Sequence, residues 1–305
     1  MESHDLAPQS SLRYCSSFVH YYYCHEKWGQ LQHNFSLQHE KMEAVHKTAK
    51  SGFTQGNEYD QARPSYTDAI VQEVLSAIKD TEEHSKDFIC TVDILELGAG
   101  TGKFTQKILP LLGKNCRYLA TEPSEGFLAK LKENCPNIES QIGSAEQISL
   151  PDNSVKNVVC AQCFHWFATD VSLKEIHRVL IPGGKLIMIW NHKEWNVPWV
   201  QKIEDILNEF YKGVPRALKY DWKTVIENFK GFAFKDHKML PGVNFQGPSD
   251  AIVAHYSSLS VIASLDPPRK AEVQYEIRSI IQEADLVFDN ITIPMKSEMY
   301  CCYKQ

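Results

Sequence analysis

The stretch Ile94-Leu95-Glu96-Leu97-Gly98-Ala99-Gly100-Thr101-Gly102-Lys103-Phe104 decides the fold. Its apolar opening, broken by one acid, reads as a buried parallel strand. The glycines that follow give a tight turn and let a ligand come close to the backbone. Thr105 to Leu109 then reads as a helix that stops near Pro110. Strand, glycine turn and helix in this order open a nucleotide-binding α/β sheet.

Three ligand chemistries compete for the turn. A phosphate-cradling loop needs four residues between its first glycine and Gly-Lys, then Ser or Thr. Counted back from Gly102-Lys103, the first position is Leu97, and Phe104 follows the lysine, so this reading fails twice. The dinucleotide fingerprint Gly-x-Gly-x-x-Gly places its third glycine at 103, a lysine here, which weakens that reading without excluding it. Glu96 followed by Gly98, Gly100 and Gly102 fits, without adjustment, the Gly-x-Gly-x-Gly turn that binds S-adenosylmethionine. A glycine turn with no ligand is the remaining alternative, and the strand and helix signals on either side argue against it.

The 305 residues suffice for one large α/β domain, or one domain with additions. A net charge of -6 argues against a nucleic-acid footprint, which is basic and clustered. No apolar run approaches the roughly 20 residues of a membrane span, and the N-terminus lacks the plan of a signal peptide. Nine cysteines are scattered without paired spacing, several inside predicted strands, which points to reduced thiols in a cytoplasmic protein. No internal repeat or low-complexity tract is present.

Residues 1–50 differ from the rest. They hold six of the twelve histidines and the run Tyr21-Tyr22-Tyr23, with no period of 2 or 3.6. Cys15, His20, Cys24 and His25 match no zinc spacing, so no metal is expected. The segment reads as a disordered extension, and a sharper reading starts the protein at Met42. Residues 51–305 form the expected main domain: a cofactor-binding core over about 90–192, a helical cap over about 197–285 and a last strand over 291–303.

Ahead of the first strand, Ile70, Val71, Val74, Leu75 and Ile78 form the buried stripe of a helix that Ser65 or Thr67 can cap. The segment leading into it carries Tyr59, Arg63 and Tyr66, candidate lid and substrate residues. The second strand, Cys116 to Thr121, ends at Glu122, where a carboxylate can accept from both ribose hydroxyls. A third strand, Ile138 to Gly143, leads to the turn Ser144-Ala145-Glu146, placed to bond adenine edges. The fourth strand, Val155 to Cys163, ends in Gln162-Cys163-Phe164-His165-Trp166-Phe167. Aromatics with one histidine at a strand's carboxyl end suit a sulfonium and an acceptor. Cys160 and Cys163 lie inside a strand, which favours packing over redox chemistry. Ile181 to Gly184 is an expected turn before a fifth strand, Lys185 to Trp190, with Asn191, His192 and Trp195 just beyond. Val197 to Tyr211, Asp250 to Ala263 and Arg269 to Glu283 read as helices, and Phe232 to Leu240 as a strand.

From Gly56 onward the chain resembles class I S-adenosylmethionine-dependent methyltransferases, and among them the small-molecule group that includes trans-aconitate methyltransferase-like proteins. The motifs are Tyr59-Asp60-x-x-Arg63-Pro64-x-Tyr66, Leu95-Glu96-Leu97-Gly98-x-Gly100-x-Gly102 and Gly143-x-Ala145-Glu146. Ala161-Gln162-x-Phe164-His165-Trp166-Phe167 and Glu175-x-x-Arg178-Val179-Leu180-x-Pro182-Gly183-Gly184 complete them. The resemblance implies a Rossmann-like doubly wound α/β sheet of seven strands, with one antiparallel strand next to the edge. It implies that Gly98, Gly100 and Gly102, with Glu96, hold the methionine end of the cofactor. Glu122 then holds the ribose; Ser144, Ala145 and Glu146 border adenine; Gln162 lies beneath the cofactor. His165 and Trp166, with Tyr59, Arg63, Asn191 and Trp195, face a small-molecule acceptor. Two departures stand out: Ser144 where Asp or Thr is frequent, and Lys156 where an acid is usual.

The expected reaction is in-line methyl transfer from sulfonium to a carboxylate or hydroxyl, for which the protein supplies alignment and exclusion of water. A hydroxyl needs a base, with His165 first and His192 behind it. Two other readings are a catalytically silent adenosine-ligand-binding protein and a nicotinamide-dependent oxidoreductase. Monomer and homodimer both remain open.

Overall fold

The computed structural model describes residues 62–84, 88–286 and 289–305. Tyr59, the extension over 1–50 with its cysteines and histidines, and the Met42 boundary lie outside the described residues. Helix α1 (Asp68–His84) buries Ile70, Val71, Val74, Leu75 and Ile78, the stripe its spacing predicts. Thr67 caps it, its Oγ1 accepting from the Ile70 N–H at 3.4 Å.

The first unit is β1 (Val92–Leu97) and α2 (Lys103–Ile108); β2 (Tyr118–Glu122) and α3 (Glu125–Asn134) repeat the pattern, followed by β3 (Glu139–Ile142). Ser124 caps α3 by accepting from the Phe127 N–H. Then come β4 (Val155–Ala161), α4 (Asp170–Val179) and β5 (Leu180–Lys193). The rest is α5 (Pro198–Asn208), α6 (Asp221–Asn228), β6 (Phe232–Pro241), β7 (Phe245–Gly247), α7 (Ser249–Ser257), α8 (Ser260–Ala263), α9 (Pro267–Glu283), β8 (Ile291–Ile293) and β9 (Met295–Lys304).

Seven strands form one sheet in the order β3-β2-β1-β4-β5-β9-β6. The first five are mutually parallel, and β9 runs antiparallel between β5 and β6, one position in from the edge. The doubly wound sheet with its antiparallel C-terminal strand is therefore present. The order reverses between β1 and β4, and such a reversal opens a crevice at the strands' carboxyl ends.

Three boundaries differ from expectation, each for a local reason. The turn Ile181–Gly184 is an excursion inside one strand: residues 181–184 of β5 stand opposite the single residue 156 of β4, and Gly183 takes φ +73°. The last strand is split at Pro294, which has no N–H to donate to a ladder. Its first part, β8, pairs with β7 in a separate two-stranded sheet, and only β9 joins the main one. The fourth strand stops at Ala161, because Gln162 turns to φ +67°.

Two hydrophobic clusters stand out among the described residues. One lies between α1, α2, α3 and the sheet, with Ile70, Val74, Phe104, Leu131, Val159, Ile189 and Met299. The second joins α5, α7 and α9 through Val200, Ile203, Ile252, Tyr256, Ile277 and Ile281, closed by Ile293 of β8. Helix α6 is an addition to the sequence expectations; its Trp222 packs on Trp190 at 4.5 Å and on Tyr300 at 5.0 Å between ring centroids. No described helix is long and apolar enough to cross a membrane.

Candidate cofactor and acceptor site

The glycine turn runs from the end of β1 into α2. Gly98, Gly100 and Gly102 all have positive φ. At Gly102 space is short as well: a Cβ would lie 2.6 Å from Leu131 Cδ1, so that buried side chain would have to shift. At Gly100 a Cβ would meet nothing within 4 Å, so this glycine presents open space to the crevice. The backbone there is approachable, which is the cradle a ligand at the turn requires.

Glu122 closes the turn from the side. Its Oε2 accepts from the Gly100 N–H at 2.9 Å and its Oε1 from the Ser124 N–H at 3.0 Å. One carboxylate thus joins the glycine turn to the end of β2, and each oxygen keeps a further lone pair for a ligand donor. Burial pushes Glu122 up to about 7, against these two backbone bonds, which favour the charged form. The turn after β3 lies beside it: Ser144 and Gln147 form a small bridge, Ala145 is buried, Glu146 is half-buried, and the Gly143 N–H points to the Glu122 carbonyl. Gln162 holds its left-handed backbone with its N–H on the Ile189 carbonyl at 2.8 Å, and its amide has no partner among the described residues. Strain of that kind is commonly kept where a side chain must be aimed.

Glu96 lies beneath the turn. It is fully buried, and its Oε2 accepts from Thr105 Oγ1 at 2.6 Å and from the Tyr118 hydroxyl at 2.5 Å, while its Oε1 is buried without a hydrogen bond. Through Oε2 it braces α2 and β2. Strand alternation sets this direction: the position two before Gly98 points into the layer under α2. Burial pushes Glu96 up to about 7 as well, and the Glu122 charge adds to the rise.

On the acceptor side, the short helical turn Phe164–Trp166 carries His165, whose Nδ1 accepts from Trp190 Nε1 at 3.2 Å. A neutral imidazole with an accepting Nδ1 carries its proton on Nε2. Burial, helped by the nearby His192, pushes His165 down to about 3. The ring is therefore a hydrogen-bond donor, and the expected role of general base does not fit its geometry. Trp166 packs beside it at 5.1 Å. Asn191 is also redirected: its Nδ2 donates to the Ser65 carbonyl and its Oδ1 accepts from Ser297 Oγ, so it ties the entrance of α1 to the sheet. Arg63 donates to the Ser258 carbonyl at 2.9 Å, linking that entrance to α7. Trp195 is partly exposed, with the Arg216 guanidinium 5.9 Å from its ring.

Several residues here have partners that the sequence does not name. Cys163 donates its thiol to the Leu97 carbonyl and packs against Gly98. His192 and His237 each bond one oxygen of the buried Glu298, both at 2.8 Å. Burial pushes Glu298 up, but the two imidazoles outweigh it and hold it below the usual carboxylate range. Lys193 at the end of β5 and Arg216 both reach Glu204 of α5. One signal for the last group is legible: Glu204 lies in the apolar stripe of α5, where a lone acid needs a cation. Among the described residues, no group of His, Cys, Asp and Glu is arranged to hold a metal.

The family described as "Methyltransferase domain" matches residues 95–188, the segment from β1 through β5. An uncharacterized methyltransferase of Schizosaccharomyces pombe is 35% identical over 249 residues, covering 79% of this chain and 94% of that protein. A second uncharacterized methyltransferase-like protein of the same yeast is 41% identical over 177 residues, covering 58% of this chain but only 64% of its own length. Among solved structures, loganic acid methyltransferase with SAH shares the fold at a TM-score of 0.53, with 12% identity, over 83% of this chain and 96% of that one. A structure from Anaeromyxobacter dehalogenans, provisionally named a type II methyltransferase, also gives 0.53, with 19% identity, over 79% of this chain and 96% of that one. With the glycine turn, the acid at the end of β2 and the antiparallel ninth strand in place, the chain belongs to the class I S-adenosylmethionine-dependent methyltransferases.

Proposed function

We propose that this protein transfers a methyl group from S-adenosylmethionine to an oxygen of a small-molecule acceptor, a carboxylate or a hydroxyl. The observation that carries the reading is the single carboxylate of Glu122 bonded to the Gly100 N–H beside the open face of that glycine. Sugar hydroxyls need an ionised acceptor, and the methionine end needs backbone within reach; the two stand side by side at the carboxyl ends of β1 and β2. Bound there, the cofactor supplies a methyl group already activated by its cationic sulfur. The protein's own task is then alignment and exclusion of water. Gln162 offers an uncommitted amide at the end of β4. His165 offers an Nε2–H that orients an acceptor oxygen, as a donor and not as a base, which favours the carboxylate, an acceptor with no proton to lose. Trp166 walls the same side.

Methyl transfer from labelled S-adenosylmethionine to a metabolite extract tests the reading. A small molecule should gain one methyl mass, and a Gly100→Val variant, whose side chain fills the cradle, should abolish the gain. Tight cofactor binding with persistent absence of transfer to any extract favours a ligand-binding protein without turnover.

A further inference from the structure

Glu298 of β9 is an acid sealed inside the structure, its side chain 2% exposed. Three other elements converge on it. His192 of β5 donates Nε2–H to Oε2 and His237 of β6 to Oε1, both at 2.8 Å. The hydroxyl of Tyr220, the residue that leads into α6, donates to Oε2 at 3.3 Å. Glu298 stands opposite Trp190 in the β5–β9 ladder, and Tyr300 stands opposite His237 in the β9–β6 ladder. Ring contacts run alongside the hydrogen bonds. His237 stacks on Tyr300 at 4.2 Å, Tyr300 meets Trp222 at 5.0 Å, and Trp222 covers Trp190 at 4.5 Å. Trp190 in turn donates its indole N–H to His165 Nδ1 at 3.2 Å. A row of contacts thus crosses one face of the sheet, from the exposed His237 to the histidine just past β4.

Packing alone does not call for this arrangement. An apolar cluster of similar volume commonly holds such elements as well as a carboxylate out of water does, or better. A second cost lies at Tyr220, a bulky residue held at φ +54° in the left-handed region. Its hydroxyl is anchored on Glu298, and Trp222, two residues on, is delivered against Trp190. Burial pushes Glu298 up, but the two imidazoles outweigh it, so the carboxylate is ionised and takes only donors. Both costs fall on groups that back the Trp190 indole, and strain gathers where a side chain must be aimed.

We infer that Glu298 is a positioning residue for the transfer step: by binding His192, His237 and Tyr220 it seats Trp222 on Trp190, and so holds the indole N–H that fixes His165 with its proton on Nε2. The inference rests on the methyl-transfer reading, in which that Nε2–H orients the acceptor oxygen. It extends the site to a residue that acts only through its neighbours.

The test uses the full chain with isotope-labelled histidine in nitrogen NMR at neutral pH, the His165 signals being assigned by their loss in His165→Gln. The wild type should show one His165 form, Nε2–H with a bare Nδ1. Glu298→Gln keeps the size but sets an NH2 against one imidazole Nε2–H, donor against donor. Its His165 should show the two ring nitrogens averaged between tautomers, as should that of Trp190→Phe, which has no indole N–H. S-adenosylhomocysteine affinity should be unchanged in Glu298→Gln, because the glycine turn and Glu122 belong to β1 and β2, across β4 and β5 from β9. Labelled methyl transfer from S-adenosylmethionine into a metabolite extract should fall about tenfold in Glu298→Gln, the worth of one hydrogen bond in the transition state. Trp190→Phe should fall by a similar factor and the double variant no further, since the acid acts through the indole. His237→Phe keeps a ring on Tyr300 and takes one imidazole from the carboxylate. It should move the same signals to a smaller extent, and it decides the matter if Glu298→Gln does not fold. An unchanged His165 signal in the folded variants overturns the inference, as do additive losses in the double variant. Lost S-adenosylhomocysteine affinity in Glu298→Gln overturns it too, since the residue then holds the whole crevice together. A wild type that transfers no methyl group to any extract removes the methyl-transfer reading, whereas transfer with an unmoved His165 signal removes this inference alone.

Discussion

Replacing Glu122 by alanine should weaken S-adenosylhomocysteine binding by about 1.5–3 kcal/mol, the worth of hydrogen bonds to a charged group. That corresponds to roughly 12- to 150-fold in Kd. The structure sets both bounds. Two of the carboxylate's acceptor positions are already taken by the Gly100 and Ser124 N–H groups, so only the remaining lone pairs face a ligand. The loss therefore falls near one strong bond or two partial ones. The same change orphans two backbone N–H groups, which costs the unliganded protein about 1–3 kcal/mol of stability. Glu122→Gln separates the effects. Its one amide oxygen still serves a backbone N–H, and its NH2 cannot accept from a hydroxyl. Calorimetry with S-adenosylhomocysteine, beside thermal melts of both variants, reads the two numbers independently. Unchanged affinity in a folded Glu122→Ala protein refutes the reasoning and removes this residue from the site.

The pH dependence follows from the same burial. Glu122 and Glu96 ionise near 4.5 in the unfolded chain and near 7 in the folded one, so the native state binds more protons across that window. Stability of the unliganded protein should fall as pH rises from about 4.5 to 7 and level off above, whereas S-adenosylhomocysteine affinity should rise over the same window, by up to tenfold per unit for one group. An affinity independent of pH between 5.5 and 8 contradicts the assignment. Gly100→Ala and Gly102→Ala should diverge. The first strains only the backbone, about 1–2 kcal/mol, yet should lose most cofactor affinity; the second also drives a Cβ into Leu131 and should lower stability by roughly 2–5 kcal/mol. Equal melting temperatures for the pair argue against the close approach of Leu131 to Gly102. His165 should stay neutral and Nε2-protonated from pH 5.5 to 8 in nitrogen-detected NMR, and an imidazolium signal in that range would restore it as a base. Trp222→Ala should cost about 3–5 kcal/mol in a denaturant melt, as a buried aromatic between Trp190 and Tyr300, and a loss under 1 kcal/mol would contradict that packing.

What the sequence makes legible is what is periodic or local. The α1 stripe, the strand–turn–helix at Ile94 to Phe104 and the acid ending β2 are each written within a dozen residues. Pro294 is equally visible, but its effect depends on β7 finding β8 across the whole stretch from Gly247 to Ile291, which no local pattern announces. The same holds for the site. Glu96 matches a motif, yet its burial is decided by Thr105 and Tyr118, which come from two other elements. The proton of His165 is fixed by Trp190, 25 residues on, a partner that spacing cannot name. Glu204 and Lys193 pair only because α5 folds back over the end of β5. Residues that work through their neighbours are read from the fold, and residues that work through backbone geometry are read from the chain.

The most direct measurement is a crystal structure of the protein grown with S-adenosylhomocysteine. The account predicts the sugar hydroxyls within hydrogen-bond distance of the Glu122 carboxylate and the amino-acid end against the backbone at Gly100. A ligand lodged away from β1 and β2, or a glycine crevice left empty at saturating concentration, would contradict it.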